Sequence, residues 1–395
     1  MQLIVKNCEI MKKILIIIPN LSTGGTNSSL SSIYEIIKSD FVIDVFAMSH
    51  HGHANISFKE CLLPENKLLS LWNCVYDELE LITDKLIAVF LKSIRRLFVK
   101  FKWGLDSKVY NFVLKKLRTE QYDIVISFQE GAATKFVSLC NVPIKYAWVH
   151  CNYSNWHPKI KQEEIDIYQK FNRVVCVSKY TASVFNSIFR LGDNVVSISN
   201  LQDVDKIKLL AREHISDIEW NNNTYNIISV GRINAVKHFR EIPEIAKRLT
   251  EKGYLFHWYI IGPEFDHEEM QKIKEGIERN NLSNTVFYLG PKTNPYPYFA
   301  NADLYVCLSE SEACPMVFNE AKCLGTPVVT SNFGSSYEFI SSEKDGVVVS
   351  REDIPQAIIK YIQHGKIIHN YSDVVENNNK YIKEQLYKLL NAYGI

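Results

Sequence analysis

Short, continuously apolar runs alternate with segments of helical period along the whole chain, and no other feature restricts the possible folds as much. In the first half the runs are Ile14–Ile18, Val42–Met48, Ile124–Phe128, Tyr146–His150, Val174–Val177 and Val195–Ser197. In the second they are Asn226–Val230, His257–Ile261, Val286–Leu289, Leu304–Cys307 and Val328–Thr330. A half-exposed strand alternates apolar with polar residues, whereas a strand of a parallel sheet covered by helices on both faces reads as an unbroken apolar run. The chain is therefore α/β with parallel sheets, and nothing in it repeats at a fixed period. At 395 residues it is too long for one ordinary core. The polar stretch Asn200–Thr224, with its run Asn221-Asn222-Asn223, is the expected boundary. This gives residues 1–200 as one Rossmann-like domain, 201–380 as a second, and 381–395 as an amphipathic C-terminal helix that packs back on the first.

Net charge is +1, which argues against a dedicated nucleic-acid binder. The balance conceals an asymmetry. Residues 1–200 carry 24 Lys and Arg against 18 Asp and Glu, and the remaining residues 21 against 26, so the first half is the one suited to an anionic partner. The nine cysteines are odd in number and form no C-x-x-C pair, so reduced thiols of a cytoplasmic protein are expected rather than a disulfide framework or a zinc site. Ile14–Pro19 is shorter than the apolar core of a signal peptide and reads as a buried first strand. Residues 1–10 continue no pattern, and Met11 is an alternative start. No stretch reaches the ~18 apolar residues of a membrane span. His50-His51 with His53 reads as a polar loop, because no Cys or acid stands beside it at ligand spacing.

Between Lys85 and Arg118, Leu86, Ile87, Phe90, Leu91, Ile94, Leu97, Phe98 and Phe101 recur at helical spacing. Lys92, Arg95, Arg96, Lys100 and Lys102 fill the opposite face. Two readings stand side by side: a helix packed on the sheet with a solvated basic face, and an interfacial helix resting on anionic headgroups.

The densest polar constellation is Ser309-Glu310-Ser311-Glu312-Ala313-Cys314-Pro315-Met316, followed by Glu320. Pro315 is placed to be the first residue of a helix whose free N–H groups would receive a diphosphate. Glu312 falls in the loop before that helix and Glu320 about two turns into it, so two carboxylates can hold two hydroxylated parts of one ligand. Upstream, the apolar run to Val230 ends in Gly231-Arg232, with Lys237 five residues on. Open α/β sheets bind ligands beyond the carboxyl ends of their strands. Arg suits bidentate phosphate contact, and Lys supplies a point charge to a leaving diphosphate. The chain has neither a G-x-G-x-x-G fingerprint nor a phosphate loop ending in Gly-Lys-Ser/Thr, which removes the main support for dehydrogenase and P-loop readings.

Val230-Gly231-Arg232…Lys237, Gly262-Pro263-Glu264, Ala302-Asp303-Leu304 and Ser309…Glu312…Pro315…Glu320-Ala321…Gly325-Thr326-Pro327 resemble, in that order, the donor half of the family 4 retaining glycosyltransferases. The first half is similar more thinly, through Gly24-Gly25, Trp148-Val149-His150 and Cys176-Val177-Ser178. The resemblance implies a GT-B fold, two Rossmann-like domains facing each other across a donor cleft. It also implies metal-independent, retaining transfer from a nucleotide diphosphate sugar, UDP-linked by default. The acceptor would be a hydroxyl of a saccharide or lipid-linked saccharide in bacterial cell-surface polysaccharide synthesis.

By the same resemblance, Arg232 and Lys237 bind the diphosphate and Glu312 contacts the transferred sugar. Glu320 holds the ribose, His150 assists at the reacting centre, and Gly24 and Gly25 lie beside diphosphate and acceptor. Gly231, Cys314, Pro315 and Met316 complete the donor site. The expected location is peripheral, on the inner face of a membrane. Two departures stand out. Ala313-Cys314 replaces the family's Gly-Phe before the proline, and His238 stands where a glycine commonly follows the lysine. The rival readings are a GT-B sugar-nucleotide epimerase, which would isomerise the donor without releasing nucleotide, and a non-catalytic nucleotide-sugar-binding subunit, which would bind without turnover.

Overall fold

A computed structural model describes residues 11–22, 24–52, 56–73, 81–100, 105–156, 160–218, 220–221, 223–340, 342, 345–365 and 372–392. Residues 1–10, His53, Phe101, Lys102, Asn222 and Tyr393 fall outside the described residues, as do the side chains of residues 95–100.

The chain divides into two compact units, Met1–Val177 with Thr181–Ile198, and Ser178–Tyr180 with Ser199–Ile395. In the first unit β1 (Lys13–Ile18), β2 (Val42–Ala47), β3 (Ile124–Ser127), β4 (Ile144–Val149), β5 (Arg173–Cys176) and β6 (Val195–Ser197) form a sheet in the order β2-β1-β3-β4-β5-β6. In the second, β7 (Tyr225–Val230), β8 (Phe256–Ile261), β9 (Val286–Tyr288), β10 (Leu304–Cys307), β11 (Val328–Ser331) and β12 (Gly346–Val349) form another, ordered β12-β11-β10-β7-β8-β9. Every strand pairing in both sheets is parallel. Each sheet is thus a Rossmann-like α/β layer, as the apolar runs require.

Ile14, Leu15, Ile16, Ile17 and Ile18 are all fully buried, with alternate residues directed to opposite faces. Burying such a side chain stabilises by roughly 1.5–3 kcal/mol, so the first strand anchors its unit. In the second sheet Ile228 and Tyr305 line one face, while Ile227, Leu304 and Val306 line the other. The sequence missed β12, a short edge strand that begins at a glycine.

Strand order also fixes where ligands can enter. From β7 the chain runs outward through β8 and β9, then returns to the other side of β7 as β10. The connections after β7 and β10 therefore diverge from adjacent strand ends, the switch point where open α/β sheets form a crevice. In the first sheet the equivalent point lies between β1 and β3.

The polar stretch 200–224 is more ordered than a linker. Val204–Leu210 is helical, with Val204 and Ile207 buried against Cys323 and Val375. Trp220 stacks on Tyr259 of β8 at 4.7 Å. The C-terminal helix begins at Ser372, not 381, and runs to Asn391. Its buried stripe, Val375, Ile382, Leu386 and Leu389, is interrupted by Asn379, whose amide bonds both the Gln202 carbonyl and its N–H. The polar run 376–380 hid a continuous helix because its asparagine serves a neighbouring backbone. This helix packs on Met316–Cys323 and Val204–Leu210 of its own unit.

Candidate functional site

The switch point of the second sheet brings together most of the residues singled out there. β7 ends at Val230, and Gly231 follows. A Cβ on Gly231 would stand 3.2 Å from Lys237 Cε, so the lysine side chain lies directly over the glycine. Gly262, at the end of β8, adopts φ +148° and packs so tightly that a Cβ would fall 1.9 Å from the Gly231 carbonyl oxygen. Only glycine fits there, and its presence lets the ends of β7 and β8 converge.

Asn234 caps the turn Ala235–Lys237, its side-chain oxygen accepting the Lys237 N–H at 3.2 Å. Lys237 Nζ then pairs with the Glu312 carboxylate, both side chains being mostly buried. Burial pulls the Lys237 ammonium downward, but the Glu312 carboxylate more than offsets it and the net shift is upward. Glu312 also accepts from Ser309 Oγ at 2.8 Å. The Ser335 hydroxyl donates to the Glu312 carbonyl at 2.7 Å, and Ser331 Oγ to the Ser309 carbonyl at 2.5 Å. A frame of serine hydroxyls thereby fixes the loop after β10.

Pro315 is the residue before the helix Met316–Cys323 rather than its first member, with φ −72° and ψ 90°. Glu320 is accordingly the fifth residue of that helix, little more than one turn in, not two. The Met316 carbonyl accepts from Gln202 Nε2 at 3.2 Å, which links the helix start to Asn379 through Gln202. Burial pushes the Glu320 carboxyl up to about 7, while the Tyr296 hydroxyl, 3.4 Å away, opposes the shift. Burial likewise pushes the Cys314 thiol up to about 12, which disfavours its thiolate. Arg232 is exposed and makes no ion pair among the described residues; its guanidinium lies over the Phe265 ring, 5.3 Å from the centroid.

In the first unit, Gly24 immediately precedes the helix Gly25–Ile37 that follows β1. Asn27 of this helix donates to the Ser22 and Asn20 carbonyls, at 2.7 and 3.2 Å, and so folds the glycine loop onto the helix start. His150 follows β4. Burial lowers its imidazole to about 4, despite the Glu130 carboxylate and a hydrogen bond with the Phe128 backbone. Its Nε2 is buried with no hydrogen-bond partner among the described residues.

Glu130, which sequence reasoning missed, accepts the His150 backbone N–H at 3.0 Å. The available signal was its place just beyond β3, followed by Gly131, at the switch point of the first sheet. Tyr296 was also missed, since it sits between prolines in a segment without periodicity. Among the described residues no group of three or more His, Cys, Asp or Glu side chains could hold a metal ion, and His53 of the histidine loop lies outside them.

Two parallel α/β units, the second with paired cation and carboxylate at its switch point, have the fold class of the GT-B glycosyltransferases. Residues 211–385, somewhat under half of the chain, match the family described as glycosyl transferases group 1. It is 25% identical over 271 residues to an uncharacterized glycosyltransferase of Methanocaldococcus jannaschii, covering 64% of this chain and 65% of that one. It is 23% identical to the UDP-Gal:alpha-D-GlcNAc-diphosphoundecaprenol alpha-1,3-galactosyltransferase of Escherichia coli, over 70% of this chain and 74% of that one. The crystal structure of Anabaena HepE in complex with UDP and glucose superposes with a TM-score of 0.68 at 15% identity. That likeness in fold covers 97% of this chain and 100% of that one.

Proposed function

We propose that the chain transfers a sugar from a nucleotide diphosphate sugar, a UDP-sugar, to a hydroxyl of a saccharide or lipid-linked saccharide in bacterial cell-surface polysaccharide synthesis, with retention of anomeric configuration. The observation that carries the reading is the Lys237–Glu312 pair at the switch point. A partly buried ion pair is a costly arrangement that contributes little net stability, so a function in binding accounts for it better than a structural one. An arriving diphosphate competes for Lys237, and each displaced contact frees Glu312 to accept from sugar hydroxyls. Arg232, exposed beside the site, adds a second cation, and the N–H groups of Met316 and Val317 at the start of their helix add partial positive charge. These groups neutralise charge developing on the leaving diphosphate, in the role a metal has in other transferases. Glu320 receives the ribose. In the first unit, neutral His150 offers its unpartnered Nε2 as an acceptor for a hydroxyl at the reacting centre, and Gly24 and Gly25 serve diphosphate and acceptor. The E. coli relative, named for a diphosphoundecaprenol acceptor, supports the lipid-linked class.

A cytoplasmic enzyme held on the inner membrane face fits the helix Ile82–Lys100. Ala88 is buried and Leu91 half-buried, yet Leu86 is 67% and Phe90 63% exposed, with Ile87 and Val89 also exposed. Large apolar side chains left outward, on a helix whose sequence continues through Arg95, Arg96 and Lys100, suit anionic headgroups. No helix among the described residues is long and apolar enough to cross a membrane.

Nucleotide release from a panel of UDP- and GDP-sugars tests the site. Lys237→Ala is expected to lose turnover by about 100-fold or more, as removal of a charge-stabilising group does, and Glu320→Ala to lose it by weakened hold on the ribose. Wild-type turnover in both variants refutes the assignment.

A further inference from the structure

The turn 235–238 meets the loop 310–312 at three successive points. The Glu310 N–H donates to the Val236 carbonyl at 2.9 Å, Lys237 Nζ pairs with the Glu312 carboxylate, and His238 Nε2 stands 3.3 Å from Glu310 Oε2. The middle contact is the one that an arriving diphosphate, competing for the Lys237 ammonium, would loosen. The outer two are then what keeps turn and loop in register.

His238 is built for that task. It is only 6% exposed and sits in the left-handed region, φ 53° and ψ 26°. This conformation explains why a glycine is common here, and it costs a histidine on the order of 1–2 kcal/mol. The side chain is gripped from behind. Glu241 Oε1 lies 2.8 Å from Nδ1, with Arg240 and Arg351 guanidinium nitrogens at 3.1 and 3.3 Å from the same atom. Arg240 is itself fixed by Glu269 at 2.7 Å, and Glu269 by Lys272 at 2.7 Å. The strained backbone is thus retained together with a side chain that is held rigidly and directed at the donor loop.

We propose that His238 is a positioning residue for the nucleotide-sugar donor, bracing the turn that carries Lys237 against the loop that carries Glu312 while Lys237 changes partner. The inference rests on the donor-site reading above and names a residue that reading does not use.

The test is His238→Gly. Glycine adopts the left-handed conformation freely, so the fold is preserved while the brace is lost. UDP-glucose, UDP-galactose, UDP-N-acetylglucosamine and GDP-mannose are titrated against the wild type, and the tightest binder is used in a nucleotide-release assay with Glu310→Ala and the double variant in parallel. The expected result is a donor KM raised about threefold to tenfold, the range of one net hydrogen bond, with kcat held within about twofold and Tm unchanged or higher. Glu310→Ala should give the same rise, and the double variant no more than either alone. An unchanged donor KM, fully additive effects, or a lowered Tm with kcat and KM both impaired would overturn the proposal. Lys237→Ala separates the two levels. If it too leaves donor binding intact, or no donor binds the wild type, the donor-site reading falls and this inference with it. If Lys237→Ala abolishes binding while His238→Gly is silent, only the bracing role is wrong.

Discussion

Glu320 offers the sharpest quantitative handle, through Glu320→Gln. Its carboxyl is pushed from 4.5 to about 7 by burial, so the folded protein holds this proton more tightly than the unfolded chain does. A raised folded-state value means the stabilising contribution is complete below the unfolded value and is lost as pH rises toward 7. The shift corresponds to at most about 3 kcal/mol of destabilisation at pH 8, taking ~1.4 kcal/mol per unit. Glutamine keeps the shape, can accept the Tyr296 hydroxyl and carries no charge at any pH. Thermal unfolding of both proteins from pH 4.5 to 8 isolates the effect, because every other titrating group cancels in the difference. The curves should coincide near pH 4.5 and diverge between pH 5 and 8, the variant ending up to about 6–12 °C more stable, with ~2–4 °C per kcal/mol for a unit of this size. The same substitution should weaken donor binding, since only a carboxylate accepts fully from two ribose hydroxyls. Donor binding to the wild type at pH 7 should release about half a proton, measurable by calorimetry in buffers of differing ionisation enthalpy. A difference in Tm independent of pH, or a wild type that gains on the variant as pH rises, refutes the reasoning.

Other expectations follow from the same geometry. Gly262→Ala should cost more than about 3 kcal/mol, because its Cβ would stand 1.9 Å from the Gly231 carbonyl oxygen; a wild-type Tm contradicts the close approach of β7 and β8. The His150 imidazole should remain neutral from pH 5 to 8, since burial lowers it to about 4, and an NMR titration with a midpoint above 6 would be inconsistent with its burial. Flotation with vesicles rich in anionic lipid should carry the wild type upward. Phe90→Asp, or charge reversal at Arg95, Arg96 and Lys100, should leave it at the bottom; no flotation of the wild type sinks the membrane reading.

The strand framework was legible because each buried parallel strand leaves an apolar run, and Ile14–Ile18 and Leu304–Cys307 fall where the pattern put them. β12 was hidden by its brevity and edge position. The helix of residues 372–391 was half hidden because Asn379 occupies an apolar stripe for the sake of the Gln202 backbone, a contact 177 positions away in the chain. Polar composition between 200 and 224 suggested a linker, yet Trp220 found an aromatic partner on β8 that no local pattern announces. At the site, linked charged residues such as Lys237 and Glu312 could be read from spacing, but their pairing with each other could not. Glu130 escaped for the same reason, and His238, noticed only as a residue in a glycine's usual place, gave no sign of its left-handed backbone or of its partners, which depend on neighbours distant in sequence.

The central claim, that the switch point of the second sheet binds a nucleotide diphosphate, is tested most directly by calorimetric titration of UDP into the wild type and Lys237→Ala. Saturable binding to the wild type is expected, weakened about 30-fold or more in the variant, in keeping with the loss of a charge-assisted contact of ~2 kcal/mol or more. Equal UDP affinity in the two proteins would contradict it.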